Sequence, residues 1–305
     1  MLALVASPQR EEKIELREVA EPEPGPDEAI VEVRAISLNR GEVNRLSTAE
    51  DGWRPGWDVA GVVKQRARNG SGPAEGARVV GFVLNGAWAQ RVTVPTSRLA
   101  ELPDAVSFAA AATLPVAGLT ALRTLRLGGL LLGKKVLVTG AAGGVGRLAV
   151  QLAAQAGAHV TGIVGSQERG QGLRDLRAAD LVTKTDDANG LFDLILESAG
   201  GDSLAAAFRK VAPGGTIVSF GNSSRQETTF NISDFYTRAS ARLLTFFLLA
   251  DPGPFSQDLS YLASLIASGR LDPQISYQGS WHQAGEALTA LRERRIQGKA
   301  VLLID

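Results

Sequence analysis

The sequence predicts an α/β fold, with a doubly wound parallel sheet behind a β-rich, barrel-like region. Three observations predict it. The run Lys135-Val-Leu-Val-Thr-Gly-Ala-Ala-Gly-Gly-Val-Gly146 turns from an apolar strand into a glycine-rich loop, and Leu148, Leu152 and Gln155 then recur at helical spacing. Further strand-like runs alternate with helical patterns up to residue 249. Before all of this lie more than a hundred residues of short strand-like runs separated by Gly and Pro.

The elements follow in order. Glu21-Pro-Glu-Pro-Gly-Pro26 forms turns, and Ala29–Ile36 alternates as a strand does. Val59–Val63, Ala77–Gly81 and Trp88–Val94 read as short strands of an antiparallel, barrel-like domain. Ser107–Thr113, rich in alanine, starts a helical region leading to the glycine turn. His159–Val164, Asp193–Glu197 and Gly215–Phe220 read as the later strands of the parallel sheet, and Leu243–Leu249 as its last. Asp251-Pro-Gly-Pro254 marks a boundary. Residues 257–268 and 282–295 are helical in pattern, and Lys299–Ile304 is a closing strand. This tail is too small for a domain, so it is expected to pack on the first one.

The glycine turn carries the functional signal. Gly143 and Gly146 hold the last two positions of a G-x-G-x-x-G fingerprint, and Ala141 holds the first. Glycine admits a pyrophosphate close to the backbone, and a helix N-terminus offers it free N–H groups. Ala142, Gly143, Gly144, Val145 and Gly146 are therefore the expected cradle. Glycine turns also serve plain helix–strand packing and S-adenosylmethionine sites. The strand–helix alternation behind this one favours a dinucleotide.

An NAD site carries Asp or Glu at the end of its second strand. Here that strand ends Val164-Gly-Ser-Gln-Glu-Arg169, with no acid at its tip. Ser166 and Arg169 suit a 2′-phosphate, which favours NADPH (NADP+). The alternative is that Ser166 caps the next helix and Arg169 is solvated. Glu168 is expected to point outward. Lys184 or Thr185 is a candidate for one more contact.

The chain has 305 residues, enough for two domains. Its 32 basic and 32 acidic residues balance, so neither nucleic acid nor an anionic membrane is an expected partner. Arg292, Arg294 and Arg295 read as a solvated helix face. Cysteine is absent, which excludes disulfides, cysteine nucleophiles and thiolate zinc sites. The two histidines, His159 and His282, lie far apart and read as structural. No metal is expected. The N-terminus carries no signal-like run and no window is long and apolar enough to span a membrane, so a cytoplasmic protein is expected.

Several segments, in this order, resemble the medium-chain dehydrogenase/reductase superfamily, and within it the zinc-independent quinone oxidoreductases that include zeta-crystallin. They are Glu21-Pro-Glu-Pro-Gly-Pro26, Gly56-Trp-Asp-Val-Ala-Gly61, Asn85-Gly-Ala-Trp-Ala-Gln90, Leu114-Pro-Val-Ala-Gly-Leu-Thr-Ala121, Ala141–Gly146 and Gly298-Lys-Ala-Val-Leu302. The resemblance spans nearly the whole chain. It implies a Rossmann domain over 114–249 and a partly open, GroES-like barrel over 1–113 and 250–305. The superfamily's alcohol dehydrogenases hold zinc with Cys and His. This chain has no such cysteines and no His beside Gly61, so alcohol dehydrogenase chemistry is not expected.

The resemblance implies a small-molecule substrate in a cleft between the domains, with hydride passing to a quinone or an α,β-unsaturated carbonyl. It matches Asn39 to the family's substrate-side Asn, whose amide donates to a carbonyl oxygen gaining charge. The alternative for Asn39 is a strand end closing a turn. It matches Thr120 to a threonine beside the nicotinamide; the alternative is a mid-helix Thr bonded to its own backbone. Gly221 and Asn222 are expected near the nicotinamide ribose or pyrophosphate. Phe246, Phe247 and Leu248 match a segment facing the carboxamide, and are equally good core residues. Arg40, Trp53 and Trp57 are candidates for the substrate pocket; Arg40 and Glu42 either line the cleft or pair with each other at the surface. Tyr236 is a further pocket candidate. No general acid, buried carboxylate or histidine relay is visible in the sequence. The resemblance also implies a homodimer, paired through the apolar strand Leu243–Leu249. Two other readings stay open: a free-standing enoyl-thioester reductase, and an NADPH-binding sensor or structural protein without turnover.

Overall fold

Two strands that lack a clear pattern open the chain. In the computed structural model, which describes residues 1–305, β1 (Leu2–Ala6) and β2 (Ile14–Glu18) pair antiparallel, with Leu4 opposite Leu16. Charged Arg10 to Lys13 fill the connection and hide the period from a sequence reading. β3 (Glu28–Leu38) follows, longer than expected, with alternate residues buried. Then come α1 (Arg40–Leu46), β4 (Asp58–Gln65), β5 (Arg78–Phe82), β6 (Arg91–Pro95) and β7 (Leu99–Glu101). α2 (Phe108–Ala112), capped by the Ser107 hydroxyl, runs into a wide turn over Leu114–Gly118 and then α3 (Leu119–Arg126). Pro115 has no N–H to donate to a regular helical ladder there.

The alternating region holds β8 (Lys135–Val138), α4 (Gly144–Gln155), β9 (His159–Ile163), β10 (Asp180–Val182), β11 (Phe192–Glu197), α5 (Gly201–Lys210), β12 (Val211–Ser219), α6 (Ile232–Tyr236) and β13 (Arg242–Thr245). The chain closes with α7 (Ser256–Ala267), β14 (Ile275–Ser280), α8 (Ala284–Arg292) and β15 (Lys299–Leu303).

These elements form two units, Met1–Leu119 with Pro252–Asp305, and Thr120–Asp251. In the first, a seven-stranded sheet runs β14-β15-β3-β4-β5-β7, with β6 also on β3. All its pairs are antiparallel except β14 with β15. β15 lies against β3, and the Phe255 N–H donates to the Ser97 carbonyl at 2.9 Å. Trp88 and Trp281 are fully buried in this core, each contributing about 1.5–3 kcal/mol or more by burial. The Trp281 Nε1–H donates to the Asp305 carboxylate at 2.8 Å.

The second unit is a six-stranded sheet, β10-β9-β8-β11-β12-β13, parallel throughout. It is the doubly wound sheet that the sequence predicts. Phe208 on α5 closes one face, with Phe230 stacked at 4.0 Å and Phe235 edge-on at 5.2 Å. One element departs from expectation. The strand expected over Leu243–Leu249 stops at Thr245, and Leu248–Ala250 form a tight helical turn. Its partner β12 ends at Ser219, so only the Phe246 N–H finds a further acceptor, the Ser219 carbonyl at 2.9 Å.

Candidate active site

In a doubly wound sheet, ligands bind beyond the carboxyl ends of the strands, where the strand order reverses. Here that point lies between β8, followed outward by β9, and β11, followed outward by β12. The glycine turn sits at it. Gly140 takes φ +61°, so it makes the tight turn that the fingerprint assigned to Ala141. Ala141 is instead fully buried, and its N–H donates to the Ile163 carbonyl at 3.0 Å. A Cβ on Gly146 would stand 2.6 Å from the Ala141 Cα, so only glycine lets α4 pack this closely on the turn. Gly143 is the residue before α4. The first-turn N–H groups of Gly144, Val145 and Gly146 have no acceptors within the helix.

Three residues that a sequence reading passes over hold this edge. Glu197, at the end of β11, is fully buried. Its carboxylate accepts from the Thr139 hydroxyl at 3.2 Å and from the Ala199 and Gly200 N–H groups, each at 3.0 Å. Arg147 folds back over the turn and donates to the Gln171 carbonyl at 2.7 Å, tying the start of α4 to the loop after β9. None of the three belongs to the fingerprint, so pattern alone does not reveal them.

The second-strand tip differs in detail from expectation. Arg169 lies against Gly165, whose added Cβ would meet the Arg169 Cδ at 3.8 Å. Ser166 does not cap the following turn, since Gln167 holds that place. Glu168 is exposed. A hydrogen bond from the Ser166 hydroxyl, and then one from its own backbone N–H, hold its carboxyl below the usual range. Lys184 precedes a short turn, and the Thr185 hydroxyl lies 3.2 Å from that of Ser203.

Gly221 and Asn222 follow β12, at the same carboxyl edge as the glycine turn. The Ser223 and Ser224 N–H groups donate to the carbonyls of Ser198 and Ala199, which joins this loop to the end of β11. Thr120 is buried in the first turn of α3, and the hydroxyl bonding back along the helix is that of Thr124, onto the Thr120 carbonyl at 2.6 Å. Phe246, Phe247 and Leu248 are not equivalent: Leu248 is buried, whereas Phe247 is 63% exposed. Tyr236, on α6, is 74% exposed.

The first unit holds a polar site that the sequence did not announce. Asn39, 9% exposed, is the residue before α1. Its Nδ2 donates to Asp58 Oδ2 at 2.8 Å, and its Oδ1 accepts from Lys299 Nζ at 2.7 Å. Asp58 also accepts from the Ser37 hydroxyl, and from the Val116 N–H at 2.8 Å. Strand register brings them together, with Ser37 opposite Asp58 between β3 and β4, and Ala300 opposite Leu38 between β15 and β3.

Glu42 corrects two expectations. It does not pair with Arg40 at the surface, and a buried carboxylate is present after all. Glu42 is fully buried, and its carboxylate accepts from the Asn39 N–H and the Trp57 N–H, both at 2.7 Å. Burial, and then the charge of Asp58, push its pKa well above the usual carboxylate range. The two N–H groups and Lys299 act in the opposite sense. Trp57 is buried with its ring on Gly41, where an added Cβ would meet it at 2.5 Å. Trp53 packs on the core, and Arg45 lies over its ring at 4.6 Å. Arg40, half-buried, opens α1.

The chain matches a family model described as "Zinc-binding dehydrogenase" over residues 172–302, and one described as "Alcohol dehydrogenase GroES-like domain" over residues 25–104. A highly reducing polyketide synthase of Arthrinium phaeospermum is 33% identical over 89% of this chain, which spans only 12% of that protein's length. A quinone oxidoreductase of Pseudomonas aeruginosa is 29% identical, with 96% of each chain covered. The structure of an Escherichia coli quinone oxidoreductase complexed with NADPH superposes with a TM-score of 0.87 at 25% identity, covering 99% of this chain and 100% of that one. Fold and site define a protein built on the medium-chain dehydrogenase/reductase plan. The chain belongs to that superfamily, in its zinc-independent quinone oxidoreductase branch.

Zinc does not fit the residues present. Trp57, not a histidine, stands beside Asp58, and Asp58 is already engaged by four side-chain and backbone donors. His159 is in the second unit, and His282 lies 3.3 Å from Asp305. No three His, Cys, Asp or Glu side chains converge on a point.

Proposed function

We propose that this protein is an NADPH-dependent reductase of quinones or α,β-unsaturated carbonyls, working without a metal. The observation that carries the reading is the glycine turn and α4 N-terminus at the reversal point of the parallel sheet. A dinucleotide fits there by shape, because Gly146 permits the close turn and the first-turn N–H groups are free for a pyrophosphate. Gly143, Gly144, Val145 and Gly146 would hold the pyrophosphate, and Gly221 and Asn222 the adjoining ribose. Ser166 and Arg169 would hold the 2′-phosphate, with the Ser166 hydroxyl turning from Glu168 to the ligand. When bound, the reduced nicotinamide supplies a hydride. Asn39 uses one amide N–H on Asp58, and its second N–H is available to an acceptor oxygen on which negative charge gathers. Water then protonates that oxygen in a quinol, or the carbon α to the carbonyl in the enolate formed by hydride addition to the β-carbon. The relative with bound NADPH and the full-length match to a quinone oxidoreductase support this reading.

A second reading, reduction of an enoyl thioester, rests on the identity to polyketide synthases. One assay separates the two. Cofactor oxidation is followed with phenanthrenequinone, an alkenal and a crotonyl thioester, using NADPH and NADH. The expected result is NADPH-selective, chelator-insensitive turnover with the quinone or alkenal. Faster thioester turnover moves the assignment to the second reading. Tight NADPH binding with no turnover moves it to a sensor. In the same series Arg169→Ala is expected to weaken NADPH about 10- to 100-fold, the worth of one charged hydrogen bond, and to leave NADH unchanged. Equal loss for both cofactors removes Arg169 from the 2′-phosphate site.

The protein is also expected to be a homodimer in the cytoplasm. β13 forms an edge of the parallel sheet, and the nearby Leu243 and Phe247 are exposed. A second copy pairing along β13 would satisfy its open backbone groups. No helix is long and apolar enough to cross a membrane. Light scattering is expected to give twice the mass of one chain. A single-chain mass at micromolar concentration overturns the dimer.

A further inference from the structure

We infer that Lys299 and Asp58 are positioning residues that fix the Asn39 side-chain amide in one orientation, so that an N–H, not the carbonyl, is left for the acceptor oxygen. The inference rests on the proposed role of Asn39. An asparagine amide has two nearly isosteric ends, and a half-turn about its last bond exchanges donor for acceptor. The partners here admit only one choice. Lys299 Nζ can only donate, and it stands 2.7 Å from Oδ1. The Asp58 carboxylate accepts, and it stands 2.8 Å from Nδ2. Flipping the amide would set an NH2 group against the lysine and a carbonyl against the carboxylate.

The two fixing groups are themselves held. Lys299 Nζ also reaches the Leu38 carbonyl at 3.3 Å and Asp58 Oδ2 at 3.4 Å. Lys299 is 2% exposed and Asp58 is fully buried, so water competes little for either. The lysine also places a positive charge one amide away from the oxygen that gains negative charge. A hydrogen bond received at Oδ1 polarises the amide and strengthens its remaining N–H as a donor. Residue 299 lies 260 positions from residue 39, and the β15–β3 register joins them.

The test is a double-mutant cycle on Lys299→Met and Asn39→Ala, with NADPH affinity measured throughout. Lys299→Met is expected to lower kcat about tenfold with NADPH affinity unchanged, against about a hundredfold for Asn39→Ala, the usual loss of one transition-state donor. In the Asn39→Ala background, Lys299→Met is expected to have no further effect on kcat. Additive losses overturn the positioning role and make Lys299 a structural residue. No loss on Asn39→Ala alone sinks the role of Asn39 itself, which is a different failure. Lys299→Arg, which keeps a donor, is expected to recover most of the activity. A second readout needs no turnover. In nitrogen-15 labelled protein without ligand, the Asn39 amide pair, identified by its loss in Asn39→Ala, is expected to be well dispersed and slow to exchange. Lys299→Met should shift it and speed its exchange, and an unchanged pair overturns the inference. If Lys299→Met does not fold, Asp58→Asn enters the same cycle with the same expected non-additivity, and additive losses overturn the inference there too.

Discussion

Gly146→Ala is expected to lose tight cofactor binding and part of the stability of the protein together. The new Cβ would stand 2.6 Å from the Ala141 Cα and 2.8 Å from the Ala141 carbonyl carbon, and these are backbone atoms that cannot swing aside. The start of α4 must move off the turn. Overpacking of this kind costs about 1–3 kcal/mol of folding stability. The first-turn N–H groups move with the helix, and losing two charged hydrogen bonds weakens NADPH by on the order of a hundredfold or more. Gly143→Ala is the control. A Cβ there meets only the Gly140 carbonyl oxygen, at 3.3 Å, and the backbone is extended, which any residue adopts. That variant is expected to keep nearly wild-type stability and still bind NADPH more weakly, because the methyl group occupies the approach to the pyrophosphate. Urea denaturation and fluorescence titration measure the two effects separately. Full NADPH affinity in both variants would remove the glycine turn from the cofactor site.

The second large effect concerns Glu42. Glu42→Ala leaves the buried Asn39 and Trp57 N–H groups without acceptors, an expected loss of about 2–6 kcal/mol at roughly 1–3 kcal/mol for each. Glu42→Gln keeps one acceptor and turns an NH2 toward the other N–H, so a smaller loss of about 1–3 kcal/mol is expected. The pH dependence has a definite sign. Burial raises the Glu42 pKa in the folded protein, so its proton is bound more tightly there than in the unfolded chain. Its contribution to stability is fully present below the unfolded pKa of 4.5 and is lost as pH rises through the raised folded value. Glutamine does not titrate. The stability gap between wild type and Glu42→Gln is therefore expected to be largest near pH 5 and to narrow toward pH 8. Denaturation curves at the two values measure it. A gap that widens with pH would mean that the two N–H bonds outweigh burial and that the carboxylate form is favoured.

Much of the second unit was legible because its signals are local. The turn, the first-turn N–H groups and the apolar period of α4 all lie within about twenty consecutive residues, roughly the span over which strand and helix periodicity can be read. The same locality explains the misses. The sequence places Ala141 at the first fingerprint position, while the positive φ falls on Gly140, because motif spacing counts residues and not dihedral angles. The run Leu243–Leu249 is apolar apart from Thr245, yet the strand lasts only while β12 lies beside it. β1 and β2 are strands because they pair with each other; each is only five residues long, β1 wholly apolar without alternation and β2 largely charged, so neither shows a strand pattern of its own.

The sequence by itself determined the class of the protein: alternating strands and helices, a glycine turn of the dinucleotide-fingerprint type, and no thiolate for a metal; it also offered an asparagine that the family resemblance matches to a substrate-side residue. Tertiary structure alone decided what surrounds that asparagine. Glu42 reads either as a cleft residue or as a surface partner for Arg40, and it is fully buried under two backbone N–H groups. Asp58 lies 19 positions from Asn39, and Lys299 lies 260. Neither separation matches a helical or strand period, so no pattern joins them. The registers of β4 and β15 on β3 do, because in a sheet a shift of one residue turns every side chain to the opposite face.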